Sequence, residues 1–114
     1  MSTPLRPVET SLLIALCAGP GHGYELVRRM HDETAGRLNV LPGNLYVVLK
    51  RLTERGWVEP SPAPADETDP RRRYFQLTPA GRTRLEVEID TWERQLEIAR
   101  RRLGAAPDLT GTEA

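Results

Sequence analysis

Cysteine occurs once in this 114-residue chain, at position 17. A lone thiol excludes an internal disulfide. With His22 and His31 as the only histidines, no Cys/His set has the spacing of a metal site. A reduced, cytoplasmic setting is the expectation. Cys17 itself lies inside the apolar run Leu12 to Ala18 and reads as a small buried hydrophobe rather than a redox switch. No apolar stretch approaches the roughly 20 residues that span a bilayer. The opening Met1-Ser2-Thr3-Pro4 lacks the basic-then-apolar pattern of a signal peptide. No serine, cysteine or carboxylate has a base placed to activate it. The cluster Gly19-Pro20-Gly21-His22-Gly23 lacks the preceding strand that a phosphate-cradling loop needs. The sequence therefore argues against an enzyme, and neither a cofactor nor a metal is expected.

Lysine is nearly absent too: Lys50 is the only one, and every other basic residue is arginine. A formal net charge of zero argues at first against a polyanionic partner. The charge is segregated, however. Residues 1–85 carry 12 Lys+Arg against 9 Asp+Glu, whereas residues 86–114 carry 4 against 7. Affinity for a polyanion depends on where the cations sit rather than on their sum. A chain of this length forms one compact unit with a modest core, which a second copy would help to complete.

Hydrophobic spacing places the elements. A first helix is predicted over about 7–18, with Pro7 in the first turn and Gly19-Pro20-Gly21 ending it. Leu12, Leu13, Ile14, Leu16 and Cys17 leave it buried nearly all round. A second helix is predicted over about 22–34, and Arg37 to Leu41 is an extended link. A third starts near Pro42-Gly43-Asn44 and stops before Gly56. Leu45, Val48, Leu49 and Leu52 form its core stripe, and Gly43, Val47, Lys50, Arg51 and Glu54 form its outer face. Trp57-Val58-Glu59 reads as a strand limited by Pro60, and Arg73 to Leu77 as a second strand. A proline-rich acidic loop ending in Arg71-Arg72-Arg73 joins them. Thr78-Pro79 supplies a hydroxyl N-cap followed by proline at the first helical position. The fourth helix then continues to about Leu103, with Gly81 marking a close contact or a bend. Its apolar residues Leu85, Ile89, Trp92, Leu96, Ala99 and Leu103 recur at spacings of 4, 3, 4, 3 and 4, a heptad seam with no core of its own to cover.

Helix, turn and β-hairpin with a basic tip is the order of a winged helix-turn-helix, which sets one helix in the DNA major groove and the hairpin on the backbone. The expected fold is mostly α with a small β-hairpin. A winged helix-turn-helix DNA-binding domain occupies 1–77, a long C-terminal dimerisation helix 78–104 and a flexible tail 105–114. Asn44 and Tyr46 are candidates for bases or adjacent phosphates, and Lys50 and Arg51 for phosphate anchoring. Arg71, Arg72 and Arg73 are candidates for holding the wing on the flanking strand. For the third helix the competing reading is an ordinary solvated basic face. For the three arginines it is a solubilising run beside an acidic loop. Trp92 reads either as a packed interface residue or as the wall of a pocket that stacks a flat aromatic ligand, with Glu88 and Glu93 nearby in sequence.

Three stretches carry a family resemblance. Gly19-Pro20-Gly21-His22-Gly23-Tyr24-Glu25-Leu26 resembles the turn-and-helix signature of the PadR family of bacterial transcriptional regulators. Leu41-Pro42-Gly43-Asn44-Leu45-Tyr46 with Leu49-Lys50-Arg51-Leu52 resembles that family's recognition helix. Arg71-Arg72-Arg73-Tyr74-Phe75-Gln76-Leu77-Thr78-Pro79-Ala80-Gly81 resembles its wing return. Asn44 departs from the threonine common there. The resemblance covers about residues 8–103 and points to the short branch with one C-terminal helix. It implies a homodimer on a palindromic double-stranded DNA operator, the last helix packing on the partner's first and last helices. It also implies repression relieved by a small aromatic effector. On that reading Leu12, Leu16, Glu88, Ile89, Trp92 and Leu96 form the dimer interface and effector pocket. The rival reading is a winged helix used only for protein contact, without an effector.

Overall fold

The computed structural model describes residues 4–105. Helix α1 spans Pro7–Cys17, strand β1 Gly21–His22, α2 Gly23–Glu33 and α3 Pro42–Glu54. Strands β2 and β3 span Val58–Ser61 and Tyr74–Leu77, and α4 runs Pro79–Gly104. The four helices and the hairpin fall where periodicity places them. The tail expected at 105–114 lies, from residue 106 onward, outside the described residues.

The core gathers one stripe from each of the first three helices. Leu12, Leu13, Ala15 and Leu16 of α1 meet Leu26 and Met30 of α2, and Leu45, Val48, Leu49 and Leu52 of α3. Val58 of β2 and Leu85 of α4 close it. None of these segments can bury its apolar surface alone.

Two features of the sheet depart from expectation. The hairpin gains a third strand, because β1 pairs antiparallel with β3 through Gly21↔Phe75 and His22↔Tyr74, giving the order β1-β3-β2. The Gly-Pro-Gly turn that ends α1 therefore also enters the sheet. In addition, β2 runs through Pro60, which pairs with Phe75. Proline is tolerated because β2 is an edge strand. Tyr74 is the most buried residue of β3.

Helix α1 is not buried all round. Ile14 is 40% exposed and Cys17 is exposed. The reason is that α2 and α3 cover only the Leu12, Leu13 and Leu16 side, so the free thiol stands outside the core.

Long-range polar contacts fix the helix ends. The Arg29 guanidinium of α2 donates to the carbonyl oxygens of Ala15, Gly19 and Pro20 at 3.1, 2.9 and 3.1 Å. A cation thus satisfies carbonyls at the negative end of the α1 dipole. Glu9, 1% exposed, accepts from the Arg6 N–H at 2.9 Å and from Arg51 Nε of α3 at 2.9 Å, with Arg55 Nη1 at 3.9 Å. At the start of α4, the Thr78 hydroxyl accepts from the Gly81 N–H at 2.9 Å and donates to the Gly56 carbonyl at 2.6 Å. The expected N-cap therefore also ties α4 to the turn after α3.

Candidate nucleic-acid interface

The outer face of α3 follows from its inner one. With Leu45, Val48, Leu49 and Leu52 buried, the helical step turns Gly43, Val47, Lys50 and Glu54 away from the core, and all four are exposed. Asn44 is exposed on the flank. Leu41 offers no side-chain cap to the first turn, so the backbone donors at the start of α3 stay open to solvent. Lys50 has no acidic or hydrogen-bonding partner among the described residues.

Arg51 sits differently from the sequence expectation. Its guanidinium turns inward to the buried Glu9 carboxylate, and its side chain is 31% exposed. A buried carboxylate without a counter-charge is costly, so in this structure Arg51 is committed to the α1–α3 junction. The sequence signal was faint: Glu9 is an acid in the third position of a proline-started helix, where capping its own backbone is the nearer explanation.

Tyr46 is also placed differently. Its ring meets Phe75 of β3 edge-on at 6.3 Å, and its hydroxyl end lies against Gly23 at the start of α2. A Cβ at Gly23 would come within 2.7 Å of that oxygen. Tyr46 thus packs between β3 and the start of α2 while staying 42% exposed, and the missing side chain at Gly23 leaves room for its hydroxyl.

The wing arginines divide into three cases. Arg72 lies 3.4 Å from the Glu67 carboxylate, and Arg71 lies 3.3 Å from Asp69 while remaining 89% exposed. Arg73 is exposed and has no ion-pair partner among the described residues. Glu67 organises this loop. It accepts a very short hydrogen bond from the Tyr74 hydroxyl and another from the Asp69 N–H at 2.9 Å. Those two donors, with Arg72 nearby, hold its carboxyl down to about 2, and the Tyr74 phenol is pushed up to about 12 by the same carboxylate. The Asp69 carboxyl is likewise lowered, first by the Arg71 N–H and then by its side chain. The Tyr74 ring also meets His22 edge-on at 5.2 Å, and the His22 ring caps α2 by accepting from the Glu25 N–H at 3.3 Å. Wing loop and helix-turn-helix are thus joined through Tyr74.

Sequence reasoning did not single out Tyr24 and Arg28, which stand on an exposed surface. Both lie on one side of α2, Tyr24 is 70% exposed, and together with Leu41 and Pro42 they border an open cleft of about 540 Å³. Their i, i+4 spacing was legible, but only the fold shows that this side faces the start of α3 rather than the core.

Across the molecule, Trp92 of α4 lies over α1. With Leu5, Pro7, Thr10, Ser11, Ile14, Glu33 and Thr34 it encloses a concavity of about 340 Å³. Thr10 is 3% exposed, and its hydroxyl has no hydrogen-bond partner among the described residues. Leu12, Leu16 and Glu88, expected at the interface and pocket, do not line this concavity. Leu12 and Leu16, 0% and 3% exposed, point into the protomer core, so the accessible side of α1 is that of Pro7 and Ile14. Glu88 is engaged by Arg84 at 2.8 Å, and Arg84 lies over the Trp57 ring. Ile89 and Leu96 remain uncovered, at 37% and 52% exposure.

Comparison with known proteins agrees with this geometry. The pattern of the transcriptional regulator PadR-like family matches residues 12–87. An uncharacterized 37.1 kDa protein in transposon TN4556 of Streptomyces fradiae is 40% identical over 83 residues. These are 73% of this chain but only 22% of that protein's length. Among solved structures, a PadR-like transcriptional regulator from Bacillus cereus superposes with a TM-score of 0.70 at 23% identity, over 84% of this chain and 90% of its own. BpsR of Bordetella bronchiseptica, whose DNA binding is regulated by 6-hydroxynicotinic acid, superposes with a TM-score of 0.64 at 20% identity, over 84% and 61%. The last two likenesses concern the fold. These regulators are not enzymes, and no helix among the described residues is long and apolar enough to cross a membrane. A winged helix with an outward α3 face, matched over most of its length by one family pattern, places this chain in the PadR-like family of transcriptional regulators.

Proposed function

We propose that the protein is a homodimeric repressor that places α3 in the major groove of a two-fold symmetric operator, rests the wing on the flanking backbone, and releases DNA when a small aromatic effector binds beside Trp92. The observation that carries the DNA reading is a sorting of cations. Arg29, Arg51 and Arg72 are held by internal acceptors, whereas Lys50 on the outer face of α3 and Arg73 at the wing have none among the described residues. Arg28 and Tyr24 on α2 extend this surface to the phosphates that a first helix crosses.

The apolar seam of α4 supports the dimer. Beyond Leu85 none of its residues is buried, and Ile89, Leu96 and Leu103 stand uncovered. A row of this kind on a charged helix suits a second copy of itself. The concavity under Trp92 supports the effector. An indole face offers stacking, and the Thr10 hydroxyl lacks the partner that a ligand's polar group would supply. Release then follows from linkage: the effector must bind better to a dimer whose two α3 helices are spaced wrongly for the operator.

The test is selection of the purified protein on a random duplex pool, repeated at two salt concentrations. Enrichment of a symmetric site, with affinity falling steeply as salt rises, is the expected result. Arg73→Ala should weaken all sequences alike and reduce the salt slope by about one per site lost. Absence of salt-dependent binding would transfer the case to a protein-contact module.

A further inference from the structure

Resting on the proposal that α3 enters the major groove, we infer that Val47 reads the 5-methyl group of a thymine. Val47 is 60% exposed and takes no part in the core or its margin. It occupies the middle of the outer face of α3, with Gly43 one turn before it and Lys50 one turn after it. A Cβ at Gly43 would meet nothing within 4 Å, so the fold makes no packing demand for glycine there. The absent side chain leaves Val47 prominent on the first half of the helix. Local structure does not ask for valine either, because a β-branched residue lowers helix propensity.

The chemistry of the groove narrows what such a side chain can recognise. The major-groove edges of the bases present hydrogen-bond donors and acceptors and one apolar group, the thymine methyl. Valine has neither donor nor acceptor. Against an amino or carbonyl edge it would displace water and return no hydrogen bond. Against the methyl it buries apolar surface on both sides. Asn44 lies one turn before Val47 on the flank, with an amide able to pair with adenine. Lys50 follows one turn later, able to reach a phosphate from the same face.

The experiment replaces single thymines by uracil, which removes the methyl and leaves the pairing edge intact. The probes are duplexes enriched by the protein from a random pool, with each thymine changed in turn. For the unaltered protein, uracil at one position per half-site should weaken binding about fourfold, the effect of burying one methyl group. Val47→Ala should bind both forms with equal affinity, whereas Val47→Thr, which keeps a methyl of similar reach, should retain the difference. Val47 is exposed and outside the core, so these variants should keep the unfolding midpoint of the parent. Salt-sensitive, site-selective binding that ignores uracil at every position would overturn the inference and leave the function standing. The inference also fails, again without touching the function, if Val47→Ala still distinguishes thymine from uracil. Loss of all salt-sensitive DNA binding by the parent protein would overturn both.

Discussion

At Gly81 a single hydrogen atom decides how α4 meets the wing. A Cβ there would lie 2.1 Å from the Trp57 carbonyl oxygen and 2.9 Å from Leu77 Cδ1. The backbone oxygen cannot give way without moving the turn after α3, to which Thr78 is bound through its N–H and hydroxyl. Gly81→Ala should therefore destabilise by about 1–3 kcal/mol, the range for overpacking, despite alanine's better helix propensity. Urea unfolding at fixed protein concentration reads this, and an unchanged midpoint would refute the close approach. Glu67 and Tyr74 form the other residue-scale device. The Glu67 carboxyl, at about 2, lies below its ordinary 4.5. Its contribution is present above the ordinary value and is lost as pH falls through about 2. The Tyr74 phenol, at about 12, lies above its ordinary 10, so its contribution is full below 10 and is lost as pH rises through about 12. Ultraviolet titration of the phenols should show one tyrosine near 12. In Glu67→Gln that transition should move back toward the ordinary value, and a transition that stayed put would show that Glu67 is not its cause.

Between elements, the contact of α1 with α3 runs through Glu9. The carboxylate caps the first turn of its own helix and binds Arg51 and Arg55 of α3, so it fixes where the outward-facing helix lies relative to the helix under Trp92. Removing one partner of a buried ion pair costs more than the pair is worth, because the remaining charge is left without an answer. Arg51 and Arg55 retain 31% and 37% exposure and can regain water. Glu9→Gln should therefore cost about 2–3 kcal/mol, at or below the lower end of that range. Chemical denaturation of the variant measures this, and a loss below about 0.5 kcal/mol, the scale of an ordinary surface change, would demote Glu9 to a helix cap. Arg29 acts in parallel at the other end of α1, where three carbonyls converge on one guanidinium.

For the whole molecule, the long axis of 66 Å reflects α4 extending past the core. Its 26 residues span roughly 39 Å, while burial stops at Leu85. If that seam is the dimer contact, Ile89→Glu with Leu96→Glu should give a monomer in sedimentation equilibrium with helix content nearly unchanged. A dimer that survived both charges would place the interface elsewhere. Trp92 tests the effector at the same scale. Aromatic carboxylates or flat aromatic cations should quench its fluorescence against the constant emission of Trp57. Trp92→Ala should lose that affinity while staying dimeric. Unchanged ligand affinity in the variant would remove the pocket.

Local chemistry made much of this molecule legible from the chain alone. Spacing of three and four residues marks Leu45, Val48, Leu49 and Leu52 as the inner side of α3, and Thr78-Pro79 starts α4 as written. Gly81 is awkward in a helix for the reason the fold then displays. Pairings between distant residues were not legible. Glu9 and Arg51 are 42 positions apart, and nothing near either announces the other. The same limit hid the third strand, where Gly21 and His22 find β3 far along the chain, and the contact of Tyr46 with Phe75. It also left Ile14 and Cys17 uncovered, because an apolar run fixes that a helix is buried but not which neighbour covers which side. The sequence by itself determined the order of elements and their apolar stripes, since those depend on periodicity within one segment. Only the tertiary structure decided which cations are held by internal acceptors and which are not, since that depends on which acids and carbonyls folding brings beside them.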